Sequence, residues 1–173
     1  TLPISTKTPL TFNSFNFSFC SYLIPVKNLF PNIPILSEEG VNIPYLERKN
    51  WKKFWLIDPI DGTKEFIKKN GEFTVNIALI ENNMPTLGVV YAPFLEKYWY
   101  GSELGSYTYM NGKEHKISVN VNFNEPYRIV ASRSHPSPLL EDFLRSFPDY
   151  ELVRMGSSIK ICLVAEGKAD IYP

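Results

Sequence analysis

The chain has 173 residues, and its 18 Lys plus Arg balance 18 Asp plus Glu, so it carries no formal net charge at pH 7 with histidine neutral. That length holds one sizeable core, or one domain and part of another. The balance leaves no basic surplus for a nucleic-acid backbone and no acidic excess for a solvating tail, so any electrostatic function must be local.

The opening stretch TLPISTKTPLTFNSFNFSFCSYLIPVKNLF lacks an initiator Met, a charged leader and a small-residue cleavage site, and is read as a truncated beginning rather than a signal peptide. Its apolar residues follow no sustained helical face, and a proline such as Pro25 costs ~3 kcal/mol in a helix interior. The segment up to about Pro25 is therefore expected to be the least regular part of the fold. Cys20 and Cys162 stand far apart without C-x-x-C spacing, which suits reduced core thiols of a cytosolic protein. No apolar run reaches the ~18 residues of a transmembrane segment, and the sequence carries no signal of oligomeric state.

IPIL reads as a strand that ends in two glutamates, Glu38 and Glu39. Charge runs usually face solvent, which suits Glu39 and Glu47, whereas Glu38 is singled out as the functional one. KFWLID follows as a short run expected to bury Trp55, Leu56 and Ile57. GTKEFIKKNG predicts one or two helical turns from Gly62 to Asn70-Gly71. FTVNIALIE, ENNMP and TLGVVYAP read as strand, turn and strand, and KYWYGSELGSYTYMNG as a further strand pair with Gly and Asn-Gly turns. The expected unit is a meandering antiparallel sheet.

After NFNEPY the texture becomes strand (RIVAS), helix (PSPLLEDFLRSF), strand (YELVRM) and helix (SSIKICLVAEGKAD), an α/β alternation. This places a boundary near Pro126, between an α+β domain over 1–126 and the start of an α/β domain over 127–173. So short a second piece cannot cover its own sheet faces, and the natural protein is expected to continue past Pro173.

The stretch WLIDPIDGT raises a physical question. Like charges held as close as Asp58 and Asp61 repel, and each resists ionisation unless something positive meets them. Pro59 fixes the backbone between them so that the Ile60 carbonyl can join the same centre, and oxygen-only donors favour Mg²⁺ or Mn²⁺ over Zn²⁺. Gly62 and Thr63 then open a helix, whose first N–H groups suit a phosphate. Cation and phosphate would lie side by side, an arrangement that activates water against a phosphate ester. The plainer alternative is an Asx-type turn closed by Asp and Thr side chains, with no ligand at all.

WLIDPIDGTKEF resembles the signature of the Mg²⁺-dependent, lithium-sensitive phosphatases that include inositol monophosphatase. KEFIKKNGEFTVNIALIENNMPTLGVVYAP, ILSEE, VASRSH and GSSIKICLVAEGKADIYP are similar to the 3'(2'),5'-bisphosphate nucleotidase branch, the CysQ type, from about Leu29 to Pro173. The resemblance implies a layered αβαβα sugar-phosphatase-like sandwich with an incomplete second domain, α/β overall with an α+β first domain. It implies two or three Mg²⁺ ions, with Mn²⁺ as a substitute, held by Glu38, Asp58, the Ile60 carbonyl and Asp61. Thr63 with Glu38 would orient the attacking water, and the Gly62 and Thr63 amides would hold the scissile phosphate.

Ser132, Arg133, Ser134 and His135 would line a nucleotide pocket, the alternative for His135 being a helix neighbour bonded to Ser137. Ser157, Ser158 and Lys160 would meet a second phosphate, for which a compact Lys charge and hydroxyls suffice, or else simply cap a helix. The implied reaction removes the 3'-phosphate of a small nucleotide bisphosphate, 3'-phosphoadenosine 5'-phosphate, giving AMP and phosphate. The implied location is cytoplasmic, or peripheral at the inner membrane. The other readings are an inositol or sugar phosphate phosphatase, and a non-catalytic fragment of such an enzyme.

Two departures touch the metals. The family's Thr-x-x-Asp stretch falls on Thr11 to Ser14, where Ser14 replaces the acid, and FNSFNFSFCSYLIPVK stands where a polar-faced amphipathic helix is expected, as a frame-shifted reading or pseudogene decay would produce. The family's Trp-Asp segment has no counterpart within the 173 residues. The chain as it stands is accordingly expected to turn over slowly.

Overall fold

The computed structural model of the chain describes residues 20–135 and 137–173. Thr11 to Ser14 lie outside the described residues, as does most of the opening stretch. A helix, α1 (Cys20–Leu29), runs through Pro25 without ending there. Over residues 20–25 this replaces the expected irregular chain, and the rest of that expectation lies outside the described residues; one lost N–H in a ten-residue helix is tolerable when Phe30 beyond it packs its ring on Trp55, with centroids 5.3 Å apart.

Strand β1 (Ile35–Ser37) leads to the one-turn helix α2 (Tyr45–Arg48) and then to β2 (Lys53–Asp61), the helix α3 (Thr63–Ile67), and the strands β3 (Thr74–Glu81) and β4 (Met84–Ala92). The β3–β4 turn is Asn82-Asn83, both with positive φ, as a two-residue hairpin matched to strand twist requires. Strands β5 (Lys97–Ser102), β6 (Gly105–Met110) and β7 (Lys113–Lys116) complete a seven-stranded sheet in sequence order. It is antiparallel from β2 to β7, while β1 joins its edge parallel to β2. Neither β7 nor α2 was legible in the sequence, because Lys113 to Lys116 are all exposed and α2 buries nothing.

Strand alternation divides the expected Trp55-Leu56-Ile57 core. Trp55 and Ile57 are buried on the face that meets Phe30, whereas Leu56 points to the other face and is exposed. Cross-strand tyrosines continue the first face, with the Tyr91 and Tyr98 rings stacked 4.3 Å apart. The other face carries Val90, Ala92 and Trp99, and against these pack Ile159 and Cys162 of α5 (Ile159–Ala165). Burial pushes the Cys162 thiol up to about 12, which fits an inert core cysteine.

Beyond α5 lies a second, parallel sheet of β8 (Tyr127–Ser132) and β9 (Tyr150–Met155), extended at Ile171 by a bridge to Ile129. Ile129 and Ala131 face Leu140 and Leu144 of α4 (Leu140–Leu144). The layers thus run seven-stranded sheet, α5, parallel sheet, α4: a mixed α/β sandwich. No helix among the described residues is long and apolar enough to cross a membrane.

Candidate active site

The site grows from two strand ends. Parallel pairing sets Ser37 opposite Ile57, so the next step along both strands carries Glu38 beside Asp58, and the Glu38 N–H donates to the Ile57 carbonyl at 3.4 Å. Pro59 has no N–H for the ladder, and the β2–β3 register shifts between Asp58, opposite Asn76, and Asp61, opposite Thr74. One extra residue in β2 is the result, and it brings both carboxylates to one end of the sheet. Ile60 N–H donates to Asp58 Oδ1 at 3.1 Å, and the Thr63 hydroxyl donates to the Ile60 carbonyl at 3.4 Å. The Asx-type turn therefore forms, and it coexists with the gathering of acids.

A cavity of about 290 Å³ opens here. Glu38, Asp58, Ile60, Asp61, Gly62, Thr63, Ser132, His135, Ser157 and Lys160 line it. Of the residues singled out in the sequence, Arg133, Ser134 and Ser158 do not. Arg133 instead forms a two-pronged pair with Glu72, Nε to Oε2 at 2.7 Å and a terminal nitrogen to Oε1 at 2.8 Å, and reaches the Arg154 carbonyl. Ser158 serves Asp61 from behind: its N–H donates to Asp61 Oδ2 at 2.5 Å, while its hydroxyl meets Thr74 Oγ1 at 2.8 Å and Asn76 Oδ1 at 2.9 Å. Lys160 is buried, and its ammonium donates to the Ser157 carbonyl at 2.6 Å. His135 donates its backbone N–H to Ser132 Oγ, and its ring Nε2 lies 3.1 Å from Lys64 Nζ.

Burial pushes the Asp58 carboxyl up to about 6, and the charges of Asp61, Glu38 and Glu39 add to the shift against the pull of the Ile60 N–H. Burial also lowers Lys160, while Asp61, Glu65 and Glu72 hold it up. The cavity is thus acidic at the strand ends and lysine-walled on the α5 side.

Several contributors left no mark in the sequence reading. Glu65 is 3% exposed and accepts the Ser134 hydroxyl proton. Glu72 also takes the Gly156 N–H at 2.8 Å. Gly156 is required by close approach, since a Cβ there would sit 2.6 Å from Glu65 Cγ and 2.7 Å from the Glu72 carbonyl oxygen. Glu65 could have been suspected from a lone acid in the apolar run EFI, whereas Glu72 follows a turn glycine where charge is ordinary.

The donors Glu38, Asp58, the Ile60 carbonyl and Asp61 are all oxygens, and the desolvated, mutually repelling carboxylates fit a hard divalent cation. All the hydrogen bonds to Asp61 fall on Oδ2, so Oδ1 meets no donor among the described residues. Also among those residues, no three His, Cys, Asp or Glu side chains already close around a point where an ion would sit.

Residues 20–173 match the model of the inositol monophosphatase family. The chain is 48% identical over 149 residues to the 3'(2'),5'-bisphosphate nucleotidase CysQ of Salmonella typhimurium, an alignment covering 86% of this chain and 59% of that protein. It is 49% identical over 148 residues to the CysQ of Buchnera aphidicola, covering 83% and 53%. Among solved structures it superposes on CysQ from Bacteroides thetaiotaomicron with a TM-score of 0.77 at 38% identity, over 87% of this chain and 63% of that one. Mycobacterium tuberculosis SuhB shares the fold, with a TM-score of 0.69 at 22% identity, over 87% and 60%. The chain spans between half and two thirds of the length of these relatives.

Proposed function

The chain belongs to the inositol monophosphatase family, and on that premise we propose that it acts as a Mg²⁺-dependent phosphomonoesterase that removes the 3'-phosphate of adenosine 3',5'-bisphosphate to give AMP and phosphate. The observation that carries this reading is the single cavity in which Glu38, Asp58 and Asp61 face Gly62, Thr63 and the start of α5. Its likeness to proteins named bisphosphate nucleotidases supports the substrate class.

Glu38, Asp58, the Ile60 carbonyl and Asp61 would hold Mg²⁺, which when bound supplies Lewis acidity and a water of lowered pKa. The chain's own part is positional. Gly62, with φ of 90°, makes a left-handed turn that opens α3 at the cavity wall. The Thr63 hydroxyl, held on the Ile60 carbonyl, lies with Glu38 along the cavity wall and would accept and orient a water proton. Ser158 and Thr74 fix Asp61 from behind, so that acid meets the reaction in one orientation. Ser132, His135, Ser157 and Lys160 flank the room left for the rest of the substrate.

The test is phosphate release with Mg²⁺ from adenosine 3',5'-bisphosphate and from an inositol monophosphate. AMP formation that EDTA abolishes and Asp58→Asn removes is the expected result. Faster release from the inositol ester would favour the inositol or sugar phosphate reading. Nucleotide binding with no release from either would favour a non-catalytic fragment.

A further inference from the structure

A second cavity, of about 620 Å³, opens at the far end of α5 from the candidate active site and shares no lining residue with it. The large sheet builds one wall. Trp99, Thr108 and His115 stand opposite one another across β5, β6 and β7 on the face that meets α5, and strand alternation puts Lys97 and Lys113 on that same face, two residues earlier in β5 and β7. The chain leaving α5 builds the other wall, with Glu166 and Lys168.

Charge is uneven here, although the chain as a whole carries none. Lys97, Lys113, Lys168 and His115 line the cavity against one carboxylate, Glu166. The Glu166 side chain is 3% exposed, and its Oε2 accepts from Lys97 Nζ at 2.6 Å. Its Oε1 has Lys168 Nζ 3.2 Å away but, among the described residues, no aligned hydrogen bond, which leaves a buried acceptor open beside the cavity. Also among the described residues, the side chains of Lys113 and His115 have no ion-pair or hydrogen-bond partner. Burial lowers the Lys97 ammonium, and the neighbouring Lys168 charge adds to that against the pull of Glu166, so positive charge is in excess.

We propose that this cavity is a second binding site, for a small hydroxylated di- or tricarboxylate: its carboxylates meet Lys113 and His115 on one wall and Lys168 on the other, and its hydroxyl donates to Glu166 Oε1. A cleft with an excess of one charge concentrates ions of the opposite sign, and carboxylate contacts to ammonium groups are charge-assisted. The cations stand on two walls rather than around one point, which suits separate carboxylates better than one compact phosphate. An anion without a donor would satisfy the lysines, leave Oε1 open and face the Glu166 charge with nothing between.

The experiment is a ¹H–¹⁵N titration of the chain without divalent cation, at ionic strength held constant with NaCl. The probes are citrate, tricarballylate, which is citrate without its hydroxyl, and glycerol 3-phosphate. The Trp99 indole N–H reports on the site, because Lys97 Nζ lies 4.4 Å from the Trp99 ring centroid. Citrate should shift that resonance saturably, and tricarballylate should bind about tenfold more weakly, as loss of a hydrogen bond to a charged group implies. The double variant Lys113→Gln, Lys168→Gln should weaken citrate by at least about tenfold, and since both side chains are exposed its unchanged spectrum elsewhere shows that it is folded. No saturable shift with citrate, or the same affinity in the double variant, overturns the site. Equal binding of citrate and tricarballylate overturns the contact to Glu166, and tighter binding of glycerol 3-phosphate than of citrate overturns the choice of carboxylate. None of these outcomes bears on the phosphatase reading, whose residues lie in the other cavity.

Discussion

The backbone N–H of Ser158 lies 2.5 Å from Oδ2 of Asp61, so an acid at the end of the large sheet is held by a group 97 residues later in the chain. The bond joins the two sheets at the site itself: Asp61 ends β2, and Ser158 opens the helix that lies between the layers. Whatever loosens that junction should be felt both in stability and in the acids.

Thr74 is the side chain that backs the junction, fully buried with its hydroxyl 2.8 Å from Ser158 Oγ and 3.4 Å from Asp61 Oδ2. Thr74→Val keeps the volume and removes the hydroxyl, leaving two polar partners short of a bond. We expect a loss of about 1–2 kcal/mol in urea unfolding, together with slower phosphate release. An unchanged unfolding midpoint would show that water replaces the hydroxyl.

Gly156→Ala should be worse. The added methyl meets Glu65 Cγ at 2.6 Å and the Glu72 carbonyl at 2.7 Å, and the second of these is backbone that cannot swing aside. Overpacking of this kind costs about 1–3 kcal/mol, and thermal unfolding of the purified variant reads it directly.

The Arg133–Glu72 pair gives an asymmetric prediction. Glu72 serves both the guanidinium and the Gly156 N–H, whereas Arg133 is half exposed and can return to water. Glu72→Ala should therefore destabilise more than Arg133→Ala, by about 1 kcal/mol. Equal losses would mean that the Gly156 N–H contributes nothing.

Asp58 sits among Asp61, Glu38 and Glu39 in partial burial, and its carboxyl is pushed up to about 6. Asp58→Asn relieves that repulsion and leaves an oxygen to accept the Ile60 N–H. Without divalent cation the variant should be more stable than the parent by about 1 kcal/mol, while Mg²⁺ should raise the melting temperature of the parent only. Equal Mg²⁺ stabilisation of both proteins would remove Asp58 from the metal donors.

Asp170 provides the acid limb of stability. Hydrogen bonds from the Arg128 guanidinium, then from Asn120 and the Arg128 N–H, hold its carboxyl down to about 2, below the ordinary ~3.9. Its contribution is fully present above about pH 4 and is lost as pH falls towards 2, because the unfolded chain takes up the proton first. The Asp170 side chain is 1% exposed but the Arg128 side chain is 37% exposed, so solvent screens part of the pair and about 1–2 kcal/mol is expected. Asp170→Asn should flatten the unfolding free energy over that range, and a parallel decline in parent and variant would refute the assignment.

Much of the large sheet was legible in the sequence, because FTVNIALIE and the Asn-Asn and Asn-Gly turns state period and reversal within a few residues. The acids were legible too: Asp58, Asp61 and the Ile60 carbonyl lie within four residues, and Pro59 limits how the chain can run between them. Sequence also pointed to Glu38, since an acid closing an apolar strand is a costly choice without a partner.

Local signals did not extend to contacts between layers. Pairing of β1 with β2 is what sets Glu38 beside Asp58, and no local pattern specifies a parallel register. Arg133 looked like a pocket residue because it follows a strand within VASRSH, yet a carboxylate 61 residues away takes both prongs of its guanidinium. Ser158 looked like a phosphate ligand and instead fixes Asp61, while the Lys160 ammonium donates to the Ser157 carbonyl. By itself the sequence determined which groups are charged, which strands alternate and where the backbone must turn, since those follow from each residue and its near neighbours. Which charge answers which was decided only by tertiary structure, because ion pairing depends on distance in space, and that distance is set when α5 packs between the two sheets.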